Sequence, residues 1–257
     1  MQDVWERRIA RAGEIAKTDE RAGSLMTAVR ELLTIQHRCY ETLRERGERL
    51  TGAIDTDVAE LLAPAESAFS SAAAIVPGTL AAQRPRDAAE IDALLRAAWR
   101  SASLPFFARL VLQPYAELLA RRERRPVDRR LEHVDGRAAC PFCDGLPQLS
   151  VLQRDSGADG GGRALICATC ATAWPMRRVL CANCGEEDER RLGYYQTAAL
   201  PHLRVDACDS CRHYLKSVDL TRLGLAVPIV DEMAGAVLDL WAVERGYRKI
   251  EVNLIGL

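Results

Sequence analysis

No stretch of the 257-residue sequence approaches the ~18 uninterrupted apolar residues of a membrane span. The N-terminal MQDVWERRIARAGEIAKTDERAG lacks the apolar core of a signal peptide, so a soluble, cytoplasmic protein is expected. Excess charge of one sign is missing as well, since 35 basic residues face 36 acidic ones for a formal charge of -1. That balance argues against a protein that coats nucleic acid or an anionic membrane through bulk charge. There is no G-x-S-x-G, no H-E-x-x-H and no phosphate-binding glycine loop followed by lysine. Nothing in the chain asks for catalysis, and a non-enzyme is expected.

What is present is a packed globular composition, 48% hydrophobic and 28% charged, with two halves of different pattern. Residues 1 to about 125 read as helices. From Glu20 to Arg46, Leu25, Val29, Leu32, Leu33, Tyr40 and Leu43 fall on one face. Asp87 precedes a run with Ile91, Leu94, Leu95 and Trp99. Ser103 and Pro105 open another with Phe106, Leu110, Leu118 and Leu119, which Pro114 is expected to kink or divide. The alanine-rich stretch from Ala53 to Ala82 also reads as helical, with limits blurred by Pro64 and Pro77. RRERRPVDRR, Arg121 to Arg130, reads as a solvated helix end leading into a linker, with a docking patch for an acidic partner as the sharper alternative. After Pro228, Ile229, Met233, Val237, Leu240 and Trp241 can share the face of one helix that stops at Gly246, and RKIEVNLIGL offers a short strand.

Between these lie eight of the nine cysteines, in four C-x2-C pairs: Cys140/Cys143, Cys167/Cys170, Cys181/Cys184 and Cys208/Cys211. Adding 41 to the number of each cysteine in the first two pairs gives the last two, which marks an internal duplication. Two cysteines three apart can turn both sulfurs to one point, and two such knuckles complete a tetrahedral site. Each 41-residue unit holds a full ligand set, so the expected sites are Cys140, Cys143, Cys167, Cys170 and Cys181, Cys184, Cys208, Cys211. A crossed arrangement, first pair with third, is the alternative. A ribbon hairpin would bring the knuckles together, turning at DSGADGGG in the first unit, with RLGYYQ, HLRVDAC and YLKSVDL as strands of the second. A redox dithiol reading is disfavoured by four motifs in register without a βαβ pattern. Softness and geometry suit iron and zinc alike. Cys39 reads as a core residue, His213 as a surface residue beside the fourth pair, and His37, His133 and His202 have no partnered acid or nucleophile nearby in sequence.

The motifs CPFC, CATC, CANCG and CDSC, behind a helical half and ahead of GYRKIEVNLIGL, resemble the FdhE family of formate dehydrogenase accessory proteins over nearly the whole chain. The resemblance implies an assembly factor for bacterial respiratory formate dehydrogenases, acting before export. It also implies two rubredoxin-like modules, the eight cysteines as metal ligands, and the catalytic subunit of formate dehydrogenase and iron as what is bound. A rubredoxin-type knuckle prefers C-P-x-C-G; here the first pair has Pro141 but Asp144 at the glycine position, with Gly145 one place later. The third pair has Gly185 without the proline, and the second and fourth have neither.

The expected fold is α+β. A helical domain over 1–130 precedes rubredoxin-like or zinc-ribbon modules over 131–178 and 179–220, and a C-terminal helix and tail over 221–257 packs on the body. Each module would hold one ion, iron or zinc. Two other functions stay open on the residues alone: a zinc-ribbon nucleic-acid protein using Arg177, Arg178, Arg190, Arg191, Tyr194 and Tyr195, and a thiol redox or sulfur-transfer protein.

Overall fold

The computed structural model describes residues 3–122, 138–154 and 162–257. Six helices come first: α1 (Val4–Thr18), α2 (Gly23–Glu45), α3 (Ile54–Ala73), α4 (Gly78–Ala81), α5 (Ala88–Trp99) and α6 (Phe106–Arg122). Local chemistry sets their starts. Asp3 accepts the Trp5 N–H while Glu6 reaches back to the Asp3 N–H, and Asp87 accepts the Glu90 N–H at the head of α5. The stripe expected on α2 is buried at Val29, Leu32, Leu33, Tyr40 and Leu43.

α6 is the axis of this half, with Leu110, Val111, Tyr115 and Leu119 among its buried residues and contacts to α2, α3 and α5. Pro114 does not divide it. The missing N–H removes one helical bond, but burial of the residues on either side holds both turns in place. Pro64 is carried inside α3 in the same way, whereas Pro77 stands between α3 and α4.

The cysteine-bearing region forms one seven-stranded sheet. β1 (Pro147–Gln153), β2 (Gly162–Cys167) and β3 (Ala173–Pro175) belong to the first unit; β4 (Leu192–Gln196), β5 (Leu203–Cys208) and β6 (His213–Asp219) belong to the second. Within each unit neighbouring strands are antiparallel, and β1 joins β6 in parallel, giving the order β3-β2-β1-β6-β5-β4. The two expected modules are therefore fused edge to edge. Their junction strands are buried almost throughout, as strands covered on both faces must be. The turn expected at DSGADGGG falls on 155–162, of which 155–161 lie outside the described residues; β1 and β2 pair on either side of it. Most of RRERRPVDRR also lies outside them, past Arg122.

The single C-terminal helix expected from Pro228 is two helices, α7 (Pro228–Ala234) and α8 (Ala236–Glu244), separated at Gly235. A Cβ at Gly235 would lie 2.6 Å from Leu203 Cδ1, so glycine lets the chain bend close against the sheet. As a result the expected shared face is split. Met233 is in the core, but Val237 and Leu240 point outward, 58% and 56% exposed. Gly246 follows α8 with φ +76°, and β7 (Arg248–Lys249) adds a short strand parallel to β6.

Buried charges lock these pieces together. Arg11 on α1 meets Asp231 on α7 at 2.6 Å, and Arg109 on α6 meets Glu251 in the tail at 2.9 Å. Under β6, Lys216 and Lys249 share Glu232 and Asp239, while Gln148, Tyr214 and Asn253 satisfy the remaining carboxylate oxygens. Two positive and two negative groups balance there. A buried charge set of this kind persists only when every member is paired.

Candidate metal centres

All four cysteine pairs share one backbone design. The residue after each second cysteine has positive φ: Asp144 (55°), Ala171 (55°), Gly185 (75°) and Arg212 (57°). Its N–H donates to the carbonyl of the first cysteine, at 2.9, 3.2, 3.0 and 2.9 Å from Cys140, Cys167, Cys181 and Cys208. The left-handed turn is what aims the two sulfurs at one point. It is kept at three positions without glycine, so the hydrogen bonds of the knuckle outweigh the local cost of that conformation. The N–H two residues after a first cysteine also donates to its sulfur: Phe142 to Cys140 at 3.4 Å, Thr169 to Cys167 at 3.3 Å and Asn183 to Cys181 at 3.4 Å.

Folding of each hairpin brings its two knuckles face to face. Cys140, Cys143, Cys167 and Cys170 form one quartet and Cys181, Cys184, Cys208 and Cys211 the other, with sulfurs within 4.8 Å of one another in each. The crossed grouping does not form. In the first quartet the Cys140–Cys170, Cys143–Cys167 and Cys143–Cys170 separations are 3.6, 3.5 and 3.4 Å; in the second, Cys181–Cys211 and Cys184–Cys208 are both 3.7 Å. A metal bonded to four sulfurs at about 2.3 Å sets them about 3.8 Å apart. A disulfide needs about 2.05 Å. The quartets fit a tetrathiolate ion, and such an ion would cross-link two knuckles and leave no open coordination position.

The thiols do not ionise alike. In the first quartet, hydrogen bonds from Cys143, Cys167 and Cys170 draw the Cys140 thiol well below its ordinary value, while burial pushes Cys167 up. In the second, burial raises Cys181. Burial opposes ionisation of Cys211 too, but bonds from the Asn183 side chain, the His213 backbone, Cys184 and Cys181 bring it down to about 7.

Surroundings differ more than geometry. The first quartet is buried within the same apolar core as the helices, together with Phe142, Phe107 and Leu254. Gln113 of α6 donates to the Ala168 carbonyl at 2.5 Å and so clamps the second knuckle to the helical half. In the second quartet Cys184 is exposed and Cys211 half-buried.

The model described as "FdhE, central domain" matches residues 139–178, which hold the first quartet, and that described as "FdhE, C-terminal domain" matches 179–255, which hold the second. The chain belongs to the FdhE family. Similar relatives are an FdhE homolog of Aquifex aeolicus, 34% identical over 60% of this chain and 52% of its own, and the FdhE protein of Escherichia coli O1:K1, 32% identical over 50% and 40%. The chain thus spans about half the length, or less, of the curated FdhE proteins it matches. The crystal structure of FdhE from Pseudomonas aeruginosa superposes with a TM-score of 0.67 at 25% identity, covering 98% of this chain and 95% of that one.

The other candidates fall outside the quartets. Cys39 is buried in α2, and burial pushes its thiol up to about 12, as suits a core residue. His213 holds the Cys211 carbonyl through Nδ1 at 2.8 Å. His37 does have an acid nearby in sequence, contrary to expectation, with Glu41 3.7 Å away; Asp3 at 3.5 Å from His37 and Asp231 at 3.4 Å from His202 are brought in by the fold. The i,i+4 spacing of His37 and Glu41 was a readable signal; the other two contacts join distant segments. His133 lies outside the described residues. Of the proposed nucleic-acid surface, Arg177 pairs with Glu187, Arg190 with Asp188, and Tyr195 lies 4.4 Å from Trp241. These residues form a mixed, internally paired surface. Among the described residues no helix is long and apolar enough to cross a membrane.

Proposed function

We propose that this protein is a non-catalytic accessory factor for formate dehydrogenase that binds the catalytic subunit during its maturation in the cytoplasm, with one iron or zinc ion in each quartet. The observation that carries the reading is the pair of closed tetrathiolate sites in a chain of the FdhE family. A closed site gives a substrate no place on the metal, so its contribution is to shape. The surface supports a binding role: Val237, Leu240 and Val243 on α8 are all more than half exposed, and Val237 and Leu240 line a groove of about 870 Å³ together with Tyr195 and Trp241.

The test is titration of the purified metal-loaded chain with the purified catalytic subunit, read by size-exclusion chromatography with light scattering, alongside complementation of a strain lacking its own factor. A defined complex and restored formate oxidation are expected. Two non-interacting peaks with no complementation would reject the reading.

A further inference from the structure

The two quartets share ligands and geometry and differ in access. In the first, Cys140 and Cys143 are fully buried and Cys167 and Cys170 are 2% and 1% exposed. Reaching that metal requires the knuckles to leave the helical core and the Gln113 bond to break. In the second, Cys184 is exposed and Cys211 half-buried. The knuckles there are tied across the surface by a Ser210 hydroxyl bond to Glu186 at 2.5 Å. A cavity of about 510 Å³ is lined by Cys181 and Cys208 together with Arg178, Arg204 and Tyr194. An incoming donor can therefore meet the second quartet from solvent while the fold stays closed.

We propose that the second quartet is the exchange site of this protein, where a metal ion enters and leaves the folded chain, and that the first is a locked structural site. This rests on the reading that each quartet holds an ion. Exchange is ligand substitution without electron transfer: bonds from the departing divalent ion to the four sulfurs pass stepwise to the arriving ion or, with an accepting ligand, the thiolates recover protons from water. A partner that takes the ion from four soft thiolates must offer ligands that bind it as well, so the matching acceptor is one that presents cysteine thiolates at Cys184. Local opening of an exposed site costs far less than opening the core, so exchange at the second quartet should be faster by about a hundredfold or more.

The test uses the full chain loaded with zinc and exposed to a small excess of NMR-active cadmium, with species counted by native mass spectrometry. Two equivalent sites cap the mixed species, one zinc and one cadmium, at half of the population. A locked site beside an open one lets the mixed species approach all of it. Cadmium–proton correlation then locates the ion without mutation: coupling to the Cβ protons of Cys184 and Cys211 is expected. The Cys184→Ser chain, or Cys211→Ser should that variant fold poorly, should lose the fast phase and keep the slow one. A mixed species that never exceeds half, or cadmium coupled first to Cys140 and Cys143, overturns the proposal. Starting protein that binds fewer than two zinc ions overturns the metal reading itself, and the exchange assignment falls with it.

Discussion

Replacing Cys143 by serine should harm this protein far more than replacing Cys184 by serine, although each removes one of four equivalent ligands. A structural zinc site contributes an apparent ~10–16 kcal/mol at neutral pH, comparable to the whole stability of about 5–15 kcal/mol of an ordinary domain. Cys143 is fully buried, and its quartet is part of the core that contains Trp5, Leu33 and Phe107. Its serine adds a buried hydroxyl costing about 1–3 kcal/mol if unpaired, on top of the lost metal. A total loss of about 4 kcal/mol or more follows, felt by the helices. Cys184 faces solvent, and water can satisfy a serine there; loss of its ion should cost the helical half less than about 2 kcal/mol. The assay is urea unfolding followed by tryptophan fluorescence, because Trp5 and Trp99 are each 1% exposed within the helices, with metal content measured in parallel. Both variants should bind half the metal of the parent. Equal displacement of the helical transition in the two, or an unmoved transition in Cys143→Ser, would refute the reasoning.

Glu251→Ala removes the carboxylate that faces Arg109, itself 1% exposed, and should cost about 3–5 kcal/mol in thermal melts, with Glu251→Gln, which keeps an acceptor but not the charge, nearly as costly; a Gln variant that melts with the parent would show that charge pairing is not what matters there. Burial works against ionisation of Glu232, but Lys216 and Lys249 hold its carboxyl down to about 2 from an ordinary 4.5, so its contribution is present above about pH 4.5 and is lost as the pH falls toward 2. Circular dichroism during acid titration should therefore show a loss of stability in that window which Glu232→Gln flattens, and an unchanged slope would contradict the assignment. Gly235→Ala should destabilise by about 1–3 kcal/mol through contact with Leu203, whereas at Gly224 the nearest atom to a new Cβ is 3.8 Å away and Gly224→Ala should be near neutral in the same melt.

The cysteine sites were legible because their signal is short-range and repeated: a knuckle is built within six residues, and the 41-residue offset names its partner in sequence. The helices on either side of the turns were legible for the same reason, since the Asp87 cap and the α2 stripe are local. Fusion of the two units through parallel β1 and β6 was not, because β1 and β6 belong to different repeats and neither carries a mark of its neighbour. The charge set of Lys216, Glu232, Asp239 and Lys249 was invisible too; in sequence each looks like an ordinary solvated residue, and only the fold shows that they meet. The split at Gly235 failed by a different route. Both segments are helical, but the bend at Gly235, where a Cβ would lie 2.6 Å from Leu203 Cδ1, turns α8 so that Leu238 and Ala242 rather than Val237 and Leu240 are buried. The unequal exposure of the quartets also lies beyond the motif, because it depends on which unit the helices cover.

The central claim is that each quartet holds one metal ion, and native mass spectrometry of the chain purified without air tests it most directly. The account predicts a mass above that of the metal-free chain by two ions, less the protons they displace, and by one ion in Cys184→Ser. A metal-free chain lighter by the hydrogens of paired disulfides, or a parent chain that retains a single ion under these conditions, would contradict it.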